Sequence, residues 1–355
     1  MAQRTSTSPQ LRPEVRRRRR GTGEVRLNDI AKLAGVAPVT VSRVINTPDS
    51  VAPETLQRVR DAIDRTGYVP NLLAGGLASA RSRLVAAIVP TFAAPVFQET
   101  IEALTNTLAA AGYQILLGQS GYGDSREDAL LEAIIGRRPD GIVLTGIMRS
   151  AGMRLRLLAS GIPVVETWDL TPTPIDMVVG FSHEKIGSAV ADYAHAAGRR
   201  RLAVVSAADD RALLRAKGFA DTAARHGIGN TLASELPVAV APAPGTLGGG
   251  RRGLGDLLAR HPTLDAIFCS SDMLALGVII EAQARGIRVP AQIAVLGYGD
   301  TNFAADVLPP LTTVRVDGTA IGELAARCII ERAEGRPVVQ RVTDVGFSII
   351  KRESA

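Results

Sequence analysis

Two domains of different class are written into this chain: an all-α helix-turn-helix headpiece and, after it, a two-lobed α/β domain. Three observations predict this. Two short apolar stripes split by a glycine lie near the N-terminus, short β-rich runs alternate with helical stretches beyond residue 83, and the alternation restarts after Phe181. With 355 residues, 46% of them apolar, the chain has material for one small and one large core.

The headpiece comes first. Leu27 to Asn46 reads LNDIAKLAGVAPVTVSRVIN, in which Ile30, Ala31 and Ala34 form one stripe and Val36, Val41 and Val44 another. That spacing predicts two short helices joined by a tight turn at Gly35. Ala31 is small where the helices cross, Gly35 supplies the positive φ that ends the first, and Val41 plugs the shared core. Pro38 suits the first turn of the second helix, where its missing N–H costs nothing. A third helix is predicted from Pro53, with Leu56, Val59 and Ile63 inward and Gly67 as its stop. Any small three-helix bundle shares this apolar pattern, so the outward residues decide. Pro38, Val39, Thr40, Ser42, Arg43 and Asn46 place short polar groups around one arginine, which suits a DNA groove. Arg43 can take a guanine bidentately and Val39 can touch a thymine methyl, while Asn28 sits near the first helix's start, where a phosphate is held.

The charge balance agrees but is uneven. Net charge is +6 and the pI about 9.7, with Arg16 to Arg20 forming one block. Residues 1–24 read as a disordered basic tail, either a polyanion contact or a solubilising extension. No apolar run reaches about 18 residues and no signal-peptide pattern opens the chain, so a cytoplasmic protein without membrane contact is expected. Cys269 and Cys328 suggest neither disulfide nor metal motif, and His183, His195, His226 and His261 lack ligand-like pairing, so structural roles and no cofactor are expected. Gly248 to Gly250 are not followed by GK[ST], AVAPAPGT beside them reads as surface loop, and Asp209, Asp210 and Arg211 lack a nucleophile or metal partner; an enzyme is disfavoured.

VAPVTVSRVIN followed by VAPETLQRVRDAIDRTGYVPN closely resembles the headpiece signature of the lactose-repressor (LacI/GalR) family. The resemblance implies a sequence-specific transcriptional regulator, a repressor, acting at the nucleoid as a homodimer on a pseudo-palindromic double-stranded DNA operator. It gives Pro38 and Val39 the two base-selecting positions and Arg43 the base-reading arginine. The headpiece then covers 25–70 and a hinge 71–82, where NLLAGGLASARS places Leu77 at the leucine that relatives push into the minor groove. Gly75 and Gly76 depart from stronger helix formers, each costing about 1 kcal/mol in a helix interior.

Residues 83–355 are read as an effector-binding domain. LVAAIV, YQILLG and GIVLTG alternate with helical stretches, and the rhythm resumes with LAVVS, AIFCSS and IAVLGY, as in parallel sheets. The family resemblance, and through it likeness to periplasmic sugar-binding proteins, implies crossovers near Gly180, Leu311 and Gln340. Lobe 1 is then about 83–180 and 312–339, and lobe 2 about 181–311 and 340–351. A periplasmic solute-binding protein shares this core but needs a signal peptide where this chain has a helix-turn-helix. First-lobe helices are the expected dimer face; relatives that tetramerise carry a leucine-heptad tail, whereas this chain ends FSIIKRESA, favouring a dimer.

Ligands of open parallel sheets sit beyond the carboxyl ends of strands. Candidates there are Phe92, Phe97, Trp168, Asp169, Arg211, Arg215, Ser271, Asp272, Gly299 and Asp300. Phe97 and Trp168 either cover a sugar face or fill the wall. The resemblance makes Arg215 an effector-binding arginine and Ser271 with Asp272 a pair that binds ligand hydroxyls. At Gly299 the family usually carries an Asp that grips hydroxyls, and Arg211, either a second sensor or a surface charge, adds a cation four residues from Arg215. One carboxylate fewer and two guanidinium forks favour a ligand with its own carboxylate or phosphate. GYGDSREDALLEAIIGRRPDGIVLT, IPVVETWD and VVGFSHEKIG look most like the gluconate-utilisation repressor branch, so a gluconate-like sugar acid is expected, with neutral and phosphorylated sugars as alternatives.

Overall fold

The computed structural model describes residues 25–69, 82–122, 124–228 and 236–355. The basic tail and the hinge residues Gly75, Gly76 and Leu77 lie outside them. Between residues 80 and 81 the chain divides into two compact units.

In the first unit, α1 (Leu27–Ala34), α2 (Pro38–Asn46) and α3 (Pro53–Thr66) enclose Ile30, Ala31, Ala34, Val41, Val44, Val59 and Ala62. Asp29 accepts from the Arg26 amide at 2.9 Å to open α1. Gly35, at φ 65°, closes it in the left-handed region, so that Val36 can turn back and donate to the Ala31 carbonyl at 3.0 Å. The turn thus follows from one residue without a Cβ, and α2 begins three residues later on Pro38.

The second unit holds two sheets. Strands β1 (Leu84–Val89), β2 (Gln114–Gln119), β3 (Gly141–Thr145), β4 (Val164–Thr167) and β5 (Met177–Gly180) alternate with α4 (Gln98–Ala110), α5 (Asp124–Ile135) and α6 (Ala151–Ser160). Strands β6 (Leu202–Ala207), β7 (Val238–Ala241), β8 (Ala266–Cys269), β9 (Ala294–Tyr298) and β10 (Thr312–Arg315) alternate with α7 (His183–Ala196), α8 (Asp210–Arg225), α9 (Leu247–Arg260) and α10 (Asp272–Ala284); α11 (Gly318–Ala333), β11 (Val342–Asp344) and β12 (Ser348–Ile350) follow. The sheets run β11-β5-β4-β3-β1-β2 and β12-β10-β9-β8-β6-β7, all parallel except β12 against β10. β6, β8 and β9 are buried along their whole length and β1 in all but its first residue, as sheets covered on both faces require.

Two expected lobe boundaries shift. Thr312–Arg315 pairs with β9, so it belongs to lobe 2 and the second crossover falls after Arg315 rather than near Leu311. β11 pairs with β5, so the chain is still in lobe 1 at Asp344 and crosses back after it, not near Gln340. Strands this short carry too little pattern to reveal which sheet they join. The segment expected as loop around AVAPAPGT begins as the edge strand β7, and Gly248 to Gly250 lie in α9 rather than in a phosphate loop.

Glycines set the closest helix contacts. A Cβ on Gly250 would lie 2.1 Å from the Leu274 carbonyl oxygen, and one on Gly277 2.1 Å from that of Leu247, so α9 and α10 touch backbone to backbone. The same device presses α7 on α8: Cβ atoms on Gly187 and Gly218 would fall 2.0 and 2.2 Å from the carbonyl oxygens of Arg215 and Glu184. Gly218→Ala is therefore expected to lower stability by about 1–3 kcal/mol. Gly152→Ala, where nothing lies within 4 Å, should be neutral or stabilising by up to about 1 kcal/mol. Urea unfolding of both variants checks the contrast.

Candidate functional site

The second helix of the headpiece turns one face outward. Pro38, Val39, Arg43 and Asn46 are exposed, Val39 to 57%, and Thr40 and Ser42 are half-buried at its edge. Asn46 folds back along its own helix, its Nδ2 donating to the Ser42 carbonyl at 2.9 Å and to Ser42 Oγ at 3.2 Å. The Arg43 guanidinium has no hydrogen bond or ion pair among the described residues. Asn28 is exposed in the first turn of α1.

In the second unit a cavity of about 220 Å³ opens between the lobes at the carboxyl ends of the strands. Local sequence explains its polar rim: Asp209, Thr246 and Ser271 each cap the helix that follows a strand, accepting from Ala212, Gly249 and Leu274 amides. The caps therefore line the cavity mouth of lobe 2.

At its centre Arg215, 5% exposed, lies over the Tyr298 ring with its guanidinium carbon 3.9 Å from the centroid. Its Nη2 donates to the Ser270 carbonyl at 2.9 Å and its Nη1 meets His183 Nδ1 at 2.8 Å. Nε is buried with no partner, and no carboxylate among the described residues pairs with this charge. His183 Nε2 lies 2.9 Å from the Trp168 carbonyl, so the ring carries its proton there and accepts from Arg215 through Nδ1. Trp168 holds φ 62°, uncommon for a residue with a Cβ, and Nε1 donates to Thr100 Oγ1 at 3.1 Å. Thr100 in turn donates to the Gly318 carbonyl at 2.8 Å, at the start of α11.

The expected site residues converge unevenly. Phe97, Trp168, Arg211, Arg215, Ser271 and Asp272 all line this cavity. Phe97 and Trp168 are buried and stack edge to face at 5.0 Å. Asp272 is fully engaged: Oδ1 accepts from Thr313 Oγ1 at 2.5 Å, and Oδ2 from the Thr301 amide and hydroxyl at 2.8 and 3.0 Å. Arg211 is no loose surface charge, because its Nη1 donates to the Thr145 carbonyl of the opposite lobe at 3.1 Å and it lies over Phe97. Arg149 and Asp210 form a second bridge across the cleft. Asp300, beyond β9, is held by Arg352 at 2.7 Å and is absent from the cavity lining.

The helix-turn-helix model for bacterial regulatory proteins of the lacI family matches residues 26–71, and a periplasmic binding protein-like domain matches 191–355. The regulator GntR of Pseudomonas aeruginosa is 39% identical over 336 residues, 94% of this chain and 97% of that one. This chain belongs to the LacI family. Among solved structures, a LacI-family transcriptional regulator from Silicibacter pomeroyi is 31% identical with a TM-score of 0.85, covering 93% of this chain and 99% of that one. A complex of the regulator CelR with cellobiose is 28% identical with a TM-score of 0.67, covering 94% and 100%. The LacI-family chain is thus a DNA-binding transcriptional regulator, and its relatives are regulators rather than enzymes. Among the described residues no helix is long and apolar enough to cross a membrane.

Sequence reading treated His183 as an ordinary core histidine in this LacI-family chain. That structural role is specific, since His183 accepts from Arg215, and Tyr298, the last residue of β9, was missed as the ring beneath it. The rule that ligands lie beyond strand ends finds both if applied one residue earlier and to the start of the next helix. Burial, then the Arg215 and Arg211 charges, hold His183 well below the usual histidine range. An unfolded histidine takes up a proton below about pH 6.5 that this folded ring refuses. Its stabilising contribution is therefore complete above that value and is lost as pH falls toward the folded pKa. Burial raises the Glu166, Asp169 and Asp272 carboxyls, which act in the opposite sense. Comparing wild type with His183→Gln isolates the histidine: between pH 7 and 5 the variant's urea midpoint is expected to fall less steeply.

Proposed function

We propose that this chain is a repressor that binds a pseudo-palindromic operator as a homodimer at the nucleoid, in the cytoplasm. A sugar acid, gluconate or a close aldonate, bound between the lobes sets its operator affinity. The observation that carries the effector class is the Arg215 guanidinium, buried without a counter-ion and with one N–H unpartnered. An unpaired buried charge is destabilising, and a ligand carboxylate relieves that penalty where a neutral sugar cannot. The relative named GntR and the gluconate-branch segments agree.

The apolar stretch of wall around Pro95, Val96, Phe97 and Met273, with the cellobiose complex of a relative, favours a second reading, a neutral disaccharide. On the DNA side, Pro38, Val39 and Arg43 read bases, with Thr40, Ser42 and Asn46 beside them, and Asn28 meets a phosphate. Leu77 serves as the minor-groove wedge.

Calorimetric titration of the full chain decides between the effectors. Gluconate is expected to bind and cellobiose not; the reverse ends the sugar-acid reading. Arg215→Lys keeps the charge but loses the fork, and should weaken gluconate about 10- to 100-fold, the value of a charged hydrogen bond of about 1.5–3 kcal/mol. Operator affinity of that variant without effector should be unchanged. Arg43→Ala should cost about 1–3 kcal/mol in gel-shift affinity for a selected operator and relax preference at one base pair, leaving gluconate binding intact.

A further inference from the structure

A second cavity of about 130 Å³ adjoins the first and shares Tyr122, Asp209 and Arg211 with it. Its walls come from both lobes and differ in kind from the aromatic wall of the first. Two arginines line it, Arg149 paired with Asp210 and Arg211 donating through Nη1 to the Thr145 carbonyl. Beside these arginines stand acceptors and hydroxyls with unused capacity. Asp169 uses Oδ1 on the Leu170 amide at 2.8 Å, and Asp209 uses Oδ1 on Ala212 at 3.0 Å, leaving the second oxygen of each without a partner among the described residues. The Tyr122 and Thr145 hydroxyls are likewise unpartnered there.

Free carboxylate oxygens accept O–H groups and repel an anion. The buried, unpartnered Arg215 Nε belongs to the first cavity, which Tyr122, Asp209 and Arg211 join to the second. We propose that the second chamber holds the uncharged, hydroxyl-bearing end of the effector, with Asp169 from lobe 1 and Asp209 from lobe 2 accepting its O–H groups while the acid end sits on Arg215. This rests on the sugar-acid reading above and extends it. One ligand chain then spans both lobes. The hydroxylated end is either the tail of an aldonate or a sugar joined to one.

The test is calorimetric titration of the full chain with glycerate, gluconate and lactobionate, in wild type, Asp169→Asn and Asp209→Asn. Asparagine keeps the amide contact at 169 and remains a good cap at 209, and melting temperature checks the fold. Expected is about tenfold or greater weakening of gluconate or lactobionate in both variants, with three-carbon glycerate unchanged. Weakening by gluconate alone identifies the aldonate tail, and by lactobionate alone the joined sugar. Equal weakening of all three acids, or of none, overturns the proposal. If wild type binds glucitol or cellobiose and no acid, the acid reading fails by itself, and the same variants test the chamber through that neutral ligand. Binding of no compound overturns both.

Discussion

At the centre of the cavity between the lobes is one guanidinium that the fold buries without a carboxylate partner among the described residues. Taking such a charge out of water is tolerable only with substitutes for its hydration, and Arg215 has three: the Tyr298 face, the Ser270 carbonyl and the lone pair of a neutral histidine. None carries a negative charge. Burial accordingly pulls the Arg215 pKa downward, Tyr298 and Asp209 opposing it. The geometry depends on α7 and α8 lying closer than ordinary side chains permit, which Gly187 and Gly218 allow and which sets His183 beside Arg215. Two residues chosen for having no side chain thus place the two that meet at the cavity.

The same arginine begins a chain of contacts that leaves the cavity. From the Ser270 carbonyl at the end of β8 it runs through Arg215, His183, Trp168 and Thr100 to Gly318, joining lobe 2 to the start of α11 on lobe 1. Arg149 with Asp210 and Arg211 with Thr145 close the mouth beside it. A ligand bound at Arg215, as proposed, would bear on the relative position of the lobes, and would shift regulation only by as much as it bound two lobe arrangements unequally.

How much of this the sequence disclosed follows from distance along the chain. The headpiece was legible almost residue by residue, because Ile30, Gly35, Pro38, Val41 and Gly67 act on neighbours within a turn or two. The βα rhythm was legible for the same reason. Sheet membership of β10 and β11 was not, since three- or four-residue strands are assigned by partners far away. Strand-end position brought Arg211, Arg215, Ser271 and Asp272 to one cavity, but not their states. That Asp272 is engaged by Thr301 and Thr313, 29 and 41 residues on, or that His183 serves an arginine 32 residues on, appears only in the folded chain.

A crystal structure of the chain grown with gluconate tests the central claim most directly. The ligand carboxylate is expected within hydrogen-bonding distance of Arg215 Nε, with His183 and Ser270 still holding the other two nitrogens. A carboxylate bound elsewhere, with Arg215 Nε still unpartnered, contradicts it.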